Sequence, residues 1–318
     1  MQPYIAAIEI TTDCNFRCAH CSVYKTKTYL SFSDFKKCVL RLKKQGIIFF
    51  RLTGGEPLLH PDLFKMISYL KKQKLGFGLN TNGFLLNHNL LLKLKKNNVS
   101  GIRISVDGQF ETHTKIRQNK MSFSKITNLI NELNNEKIPF SVNCCLMKDN
   151  YLELDKILEQ AINNGIQNIS FNLIKSESSK GNCSEYIDLF KIKDDKKFNE
   201  MIKRFKNIDK TEKNITLNAF LNYALIGKKA KDVTFICGAG RESIYVDVLG
   251  NVYACKYFLP LYNIFDLKNN NFVNFEDFSK KCSLCKHREV CLMSCPAYLK
   301  TYLEQEKNDS KINCPYFC

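Results

Sequence analysis

The chain has 318 residues, 44% of them hydrophobic, enough to bury a large core in one barrel domain with an appendage or in two ordinary domains. No N-terminal apolar run reads as a signal peptide and no stretch approaches the roughly 20 apolar residues of a membrane span, so the sequence predicts a cytoplasmic protein with no membrane contact. Fifteen cysteines in that reducing compartment argue for metal binding or catalysis over disulfides. The formal charge of +17 comes from lysines spread along the expected helices; it reads first as a solvated Lys/Asn-rich surface, next as a match for an acidic peptide, and last as a nucleic-acid surface.

Tyr4 to Ile10 alternates like a strand, and the run Thr12-Asp13-Cys14-Asn15-Phe16-Arg17-Cys18-Ala19-His20-Cys21 leaves its end. That is where α/β enzymes place their chemistry. Three thiolates at this spacing can converge on one soft centre, zinc or an iron-sulfur cluster. A cluster of four irons needs four ligands, so three leave one iron open to a substrate or cofactor. A zinc knuckle or a disulfide pair is the competing reading.

Ser31 to Gln45 follows as a helix that Ser31 can cap and Gly46 ends, and Ile47 to Leu52 is an apolar run expected to be a strand covered on both faces. Thr53-Gly54-Gly55-Glu56-Pro57 leaves that strand. Further units are a helix from Pro61 to Lys74, a strand Gly76 to Leu79 closed by the turn signal Asn80-Thr81-Asn82-Gly83, and a helix Asn87 to Asn97. Then come a strand Gly101 to Val106 ending in Asp107-Gly108, a helix Ser122 to Asn135, a strand Pro139 to Met147, a helix Asn150 to Asn164 and a strand Gln167 to Ile174. Consecutive parallel units with right-handed crossovers predict an open or closed α/β barrel with its site at the strand C-terminal ends. Residues 175–232 turn polar, with a helix from Lys196 to Asn207, and read as barrel closure plus linker, so residues 1–232 form the expected first domain.

Residues 233–318 are a cysteine-rich second domain. Cys237, Gly250 and Cys255 form C-x12-G-x4-C; Cys282, Cys285, Cys291 and Cys295 form C-x2-C-x5-C-x3-C; Cys314 and Cys318 follow. Tyr245 to Val248 and Val252 to Ala254 flank Leu249-Gly250-Asn251 as a β-hairpin that puts Cys255 at a strand end. Eight soft ligands could hold two four-coordinate centres, and zinc ribbons would also do so.

The C-x3-C-x2-C loop followed by Gly54-Gly55-Glu56-Pro57 resembles the radical SAM superfamily, and the C-terminal pattern resembles its SPASM extension. The resemblance implies a partial (β/α)6 TIM-like barrel with a small SPASM domain. It implies a 4Fe-4S cluster on Cys14, Cys18 and Cys21 whose open iron chelates S-adenosyl-L-methionine, and reductive cleavage of that cofactor to a 5′-deoxyadenosyl radical that abstracts hydrogen from the substrate. It implies two auxiliary 4Fe-4S clusters, one on Cys237, Cys255 and Cys295, the other on Cys282, Cys285, Cys291 and Cys314. The first either keeps an open iron or takes Cys318, a terminal residue, as its fourth ligand.

For S-adenosylmethionine the resemblance implies Gly54, Gly55 and Glu56 at the methionyl amino group, Ser105 and Arg117 as a carboxylate-holding pair, and His20 near the adenine. Asn80, Asn82, Asp107 and Asn143 are further candidates at strand ends or on the inner face, with plain turn or strand hydrogen bonding as the rival reading for the asparagines. Outside the motifs, Cys38 reads as helix core, and Asn143 and Cys145 share a face opposite Cys144. A cavity thiol, Cys145 or Cys183, could return a hydrogen atom to a substrate radical; packing as a small hydrophobe is the rival.

The expected activity is maturation of a ribosomally made peptide by crosslinking, oxidation or epimerisation, with a reductant such as flavodoxin or ferredoxin. The chain starts close to its first strand, so a separate leader-binding protein or the barrel mouth itself is expected to bind the peptide. A small-molecule dehydrogenase or decarboxylase comes second and a sulfatase-maturating enzyme third.

Overall fold

A computed structural model describes residues 2–23, 25–174, 195–208, 214–217, 238–257 and 259–266. Strands β1 (Ile5–Thr11), β2 (Phe49–Gly54), β3 (Gly76–Thr81), β4 (Ile102–Ser105), β5 (Phe140–Leu146), β6 (Asn168–Leu173) and β7 (Asn214–Leu217) pair in parallel, each with the next. Beyond β1 the sheet continues through β8 (Ser243–Val246), parallel to β1, and then antiparallel through β9 (Asn251–Tyr253) and β10 (Tyr262–Asn263). The result is a mixed α/β fold on a ten-stranded sheet in the order β10-β9-β8-β1-β2-β3-β4-β5-β6-β7. The hairpin that the sequence assigns to the second domain therefore hydrogen-bonds to β1, the first strand of the parallel sheet, and Cys255 follows β9 as expected.

The helices α1 (Phe32–Lys44), α2 (Leu63–Lys72), α3 (His88–Lys96), α4 (Phe110–Arg117), α5 (Ser122–Asn135), α6 (Leu154–Asn163) and α7 (Lys196–Asn207) supply the crossovers. Ser31 caps α1 by accepting the Asp34 N–H at 3.0 Å, a bond of the kind that contributes about 1 kcal/mol, and Gly46 leaves the helix at φ +92°. Phe35, Cys38, Val39 and Leu42 of α1 are buried, so Cys38 is core. Among the described residues no helix is long and apolar enough to cross a membrane.

The strands are half apolar rather than apolar on both faces. Ala6, Ile8, Phe50, Leu52, Phe77, Leu79, Ile102, Ile104, Val142, Cys144 and Phe171 are all 1% exposed or less. The residues between them include Arg51, Asn80, Arg103, Ser105, Asn143 and Cys145, which are only partly buried. Register pairing puts Asn80 beside Arg103 and Ser105 beside Asn143, as one face requires. The expectation of a β2 covered on both faces fails because Arg51 belongs to this polar inner face.

Two further differences concern the ends of elements. Asn80 and Thr81 extend β3, so the expected turn begins only at Asn82. β7 is a seventh parallel strand inside the stretch read as closure, and α4 lies where no helix was expected.

Candidate active site

The loop from Thr12 to Thr28 rises from the C-terminal end of β1 and is clamped at its base. The Thr12 N–H donates to the Thr28 carbonyl at 2.9 Å, the Thr28 N–H to Thr12 Oγ1 at 2.9 Å, and the Leu30 N–H to the Ile10 carbonyl at 2.9 Å. Phe16, 2% exposed, anchors the loop by packing edge-on against Phe84 beyond β3, ring centroids 5.4 Å apart. Lys25 bonds the Phe16 carbonyl from the loop's other limb.

Within this frame the three thiols have separate surroundings. The Phe16 N–H donates to Cys14 Sγ at 3.4 Å, Arg117 Nη1 to Cys18 Sγ at 3.7 Å, and Cys21 Sγ lies 3.7 Å from the Val23 carbonyl. Burial pushes the Cys14 thiol up to about 11, with the Phe16 N–H pulling the other way. A metal-free Cys14 is thus a neutral thiol at pH 7, and only a cation at the sulfur would hold it as thiolate. Among the described residues no three His, Cys, Asp or Glu side chains surround a single ion. Three soft thiolates on one loop can each bind a separate iron of a four-iron cluster, so the chemistry of the donor set fits that group.

The turn after β2 grips this loop from below. The Gly55 N–H donates to the Thr11 carbonyl at 2.8 Å and the Glu56 N–H to the Asp13 carbonyl at 2.7 Å. A Cβ on Gly54 would stand 2.1 Å from the Thr11 carbonyl oxygen, and one on Gly55 2.1 Å from that of Asp13. Gly54 also has φ +146°, so the two glycines are fixed by the approach of backbone to backbone.

Glu56 is fully buried, and its carboxylate accepts from Thr81 Oγ1 at 2.8 Å, the Asn82 N–H at 2.9 Å and the Leu58 N–H at 3.2 Å. It ties the end of β2 to the end of β3, and its oxygens are engaged within the protein. Asn82 continues the chain of contacts, donating to Asn15 Oδ1 at 2.8 Å on the cysteine loop. Asn15 carried no sequence signal beyond its place between two cysteines.

Burial pushes the Glu56 carboxyl up to about 7, against the pull of its three donors. The folded state then binds a proton more tightly than the unfolded state between pH 4.5 and about 7. Stability contributed by Glu56 is complete below that window and falls as pH rises through it, by on the order of 3 kcal/mol. Comparing the melting temperatures of wild type and Glu56→Gln from pH 5 to 8 tests this, since the wild type should lose more across the window; an opposite or flat difference sinks the account.

A second network stands behind Cys18. Asp107, fully buried after β4, places Oδ2 2.6 Å from Arg117 Nη2 and 3.7 Å from His20 Nε2, while Oδ1 accepts the Cys145 N–H at 2.8 Å. The Arg117 contact is an ion pair whose angle falls short of a hydrogen bond, leaving Asp107 Oδ2 with no hydrogen-bond donor. Burial pushes the Asp107 carboxyl up, but the Arg117 charge, joined by His20 once acid protonates it and by the Cys145 N–H, outweighs it and holds the group below its usual range. His113 Nδ1 accepts the Asp107 N–H at 3.1 Å, and Asn150 Nδ2 donates to the Asp107 carbonyl at 2.8 Å. Burial pushes His20 down to about 4, so it is neutral at pH 7.

Sequence reasoning named His20, Asp107 and Arg117 and placed them at the cofactor. The structure brings them together with Cys18, with Arg117 turned to Asp107 and the cysteine loop; Ser105 lies on the adjoining inner face. On that face Asn143 Oδ1 accepts from Asn172 Nδ2 at 2.6 Å, Arg51 Nη1 donates to Asn80 Oδ1 at 3.4 Å, and Cys145 packs beside Ile116, Met147 and Ile174. Cys183, Cys237, Cys282, Cys285, Cys291, Cys295, Cys314 and Cys318 lie outside the described residues.

Residues 8–161, which include the cysteine loop, the glycine turn and the Asp107 network, match the Radical SAM superfamily. The chain carries a radical SAM superfamily domain. It is accordingly an enzyme. Two curated relatives and one solved structure extend the comparison beyond that domain. The chain is 26% identical to the AdoMet-dependent heme synthase of Methanosarcina barkeri over 96% of its own length and 95% of the relative's. It is 22% identical to the mycofactocin maturase MftC of Mycobacterium tuberculosis over 80% of its length, spanning only 65% of that relative. The fold is similar to that of Streptococcus suis SuiB bound to its precursor peptide SuiA, with a TM-score of 0.72 at 15% identity, covering 98% of this chain and 76% of the other.

Proposed function

We propose that this enzyme matures a ribosomally made peptide by radical SAM chemistry, with Cys14, Cys18 and Cys21 holding the 4Fe-4S cluster. The observation that carries the reading is the three-cysteine loop, clamped by Thr12, Thr28 and Leu30 and gripped by Gly55 and Glu56 at the C-terminal end of a parallel sheet. When bound, the cluster and S-adenosylmethionine supply a one-electron cleavage that yields a hydrogen-abstracting radical. The protein's part is to hold the loop rigid, to keep Arg117 on Cys18 through Asp107, and to present a polar inner face to the substrate. Gly54, Gly55, Asn80, Asn82, Ser105 and Asn143 line the approach to the cofactor in this reading. Cys145 is the described thiol on that face, a candidate hydrogen donor should the outcome be epimerisation.

The SPASM assignment completes the proposal. Cys237, Cys255 and Cys295 hold one auxiliary cluster, and Cys282, Cys285, Cys291 and Cys314 the other, on the strength of their sequence pattern. Auxiliary clusters would accept the electron a substrate radical loses in net oxidation. SuiB supports a peptide as substrate because its structure was obtained with a precursor peptide bound, and the MftC maturase supports it by sequence. A reductant and, where needed, a leader-binding protein are the implied partners.

A second reading, chemistry on a small molecule such as a haem precursor, is favoured by the near full-length match to the AdoMet-dependent heme synthase. One experiment separates the two. Any short peptide encoded beside the gene is incubated anaerobically with the enzyme, S-adenosylmethionine and reductant in deuterated buffer, and then weighed. Loss of two hydrogens is the expected oxidative outcome, and gain of one carbon-bound deuteron marks epimerisation. With any leader-binding protein encoded beside the gene also present, an unchanged peptide while deoxyadenosine accumulates would defeat the peptide reading in favour of the small molecule.

A further inference from the structure

The inner face of the sheet holds two arginines that the radical chemistry does not use. Arg51 on β2 sits level with Gly78 of β3, and Arg103 on β4 sits level with Asn80 of the same strand. A Cβ on Gly78 would stand 3.0 Å from the Gly101 carbonyl oxygen, 3.2 Å from the Phe49 ring and 3.4 Å from Arg51 Nη1, so the Arg51 side chain runs beside bare backbone there. Arg51 thus lies across β3 toward Asn80, which accepts from it at 3.4 Å, with its own strand's Phe49 ring 5.5 Å beneath the guanidinium. Arg103 has Nε buried without a hydrogen-bond partner. Neither arginine has a carboxylate partner among the described residues, and the Glu9 of the same face is taken by Tyr245.

Two partly buried cations without a counter-ion are costly unless something supplies one. The mutual effect is visible in Arg51, which burial and the charge of Arg103 lower to about 10. A guanidinium offers a planar fork that suits a carboxylate, and here one stands on each strand flanking β3. We infer that Arg51 and Arg103 form a subsite that binds a carboxylate of the substrate inside the barrel. The inference rests on the proposed function only in treating the barrel interior as the substrate cavity. The carboxylate could belong to an acidic peptide side chain or to a carboxylated small molecule, and the two share this chemistry.

The test uses the reconstituted holoenzyme and four probes: a fluorescent peptide carrying two glutamates, its diglutamine counterpart, coproporphyrin III, and its tetramethyl ester. At least one acid should bind about tenfold or more tightly than its neutral partner. The double variant Arg51→Gln/Arg103→Gln should lose that preference. Arg51→Lys/Arg103→Lys, which keeps the charges and loses the fork, should retain part of it. Because the arginines lack a counter-ion among the described residues, the double glutamine variant should melt no lower than wild type, which a structural role for the pair would not allow. Equal binding of acid and neutral probes by wild type, or a preference that survives in the glutamine variant, overturns the inference. A preference confined to the porphyrin pair would uphold the subsite while counting against the peptide reading, so the two can fail separately.

Discussion

Replacing Cys14, Cys18 and Cys21 together by alanine is expected to abolish deoxyadenosine formation and to remove about four irons of roughly twelve, the content of the three four-iron clusters proposed above. The loss should be complete rather than partial. The loop is closed by main-chain and threonine contacts at Thr12, Thr28 and Leu30 that do not involve sulfur, so the variant keeps its fold while losing its ligands. Circular dichroism and iron analysis on the same preparation separate the two effects. Deoxyadenosine made by a folded triple variant would remove the cluster from this loop.

Replacing Arg117 by methionine is the substitution expected to destabilise most. Arg117 is 8% exposed and Asp107 fully buried, so the variant leaves an uncompensated carboxylate in the interior. Breaking such a pair costs about 3–5 kcal/mol. Burial by itself would lower Arg117, but Asp107 and Cys18 outweigh it and hold the guanidinium charged, so the pair stays ionised across the accessible pH range. Asp107→Leu should be destabilising for the mirror-image reason. The double variant Asp107→Leu/Arg117→Met should recover part of the loss, because neither charge is then stranded. Urea denaturation of the four proteins measures the coupling. A single Arg117→Met change costing under about 1 kcal/mol would mean that the pair is not the support this structure makes it.

Most of this architecture could be read from local sequence. The cap at Ser31, the limits of α5 and the hairpin before Cys255 follow from side-chain chemistry within a few residues. α4 was missed because the side it buries carries His113, Ile116 and Arg117, and two polar residues in three give no amphipathic stripe. β7 has only four residues, Asn214–Leu217, within a polar stretch.

The candidate site was legible where a motif is contiguous and obscure where it is assembled. Cys14 to Cys21 and Gly54 to Glu56 announce themselves, but the sequence does not say that the glycines serve the backbone of the cysteine loop. Nor does it say that Glu56 binds Thr81 and Asn82. The Asp107–Arg117–Cys18 link spans 99 residues between Cys18 and Arg117 and exists only once α4 returns Arg117 beneath the loop. Arg51 was hidden by its neighbours, since in an apolar run one arginine reads as an interruption, whereas alternation makes it the start of the polar face.

The proposed chemistry depends on a cluster in the Cys14–Cys21 loop with an iron open to S-adenosylmethionine. Electron paramagnetic resonance of the anaerobically reduced protein, before and after adding S-adenosylmethionine, tests it most directly. The expected result is a reduced-cluster signal whose shape changes on addition, with the change absent from the Cys14/Cys18/Cys21 triple alanine variant. A signal indifferent to S-adenosylmethionine, or a colourless protein containing zinc, would contradict it.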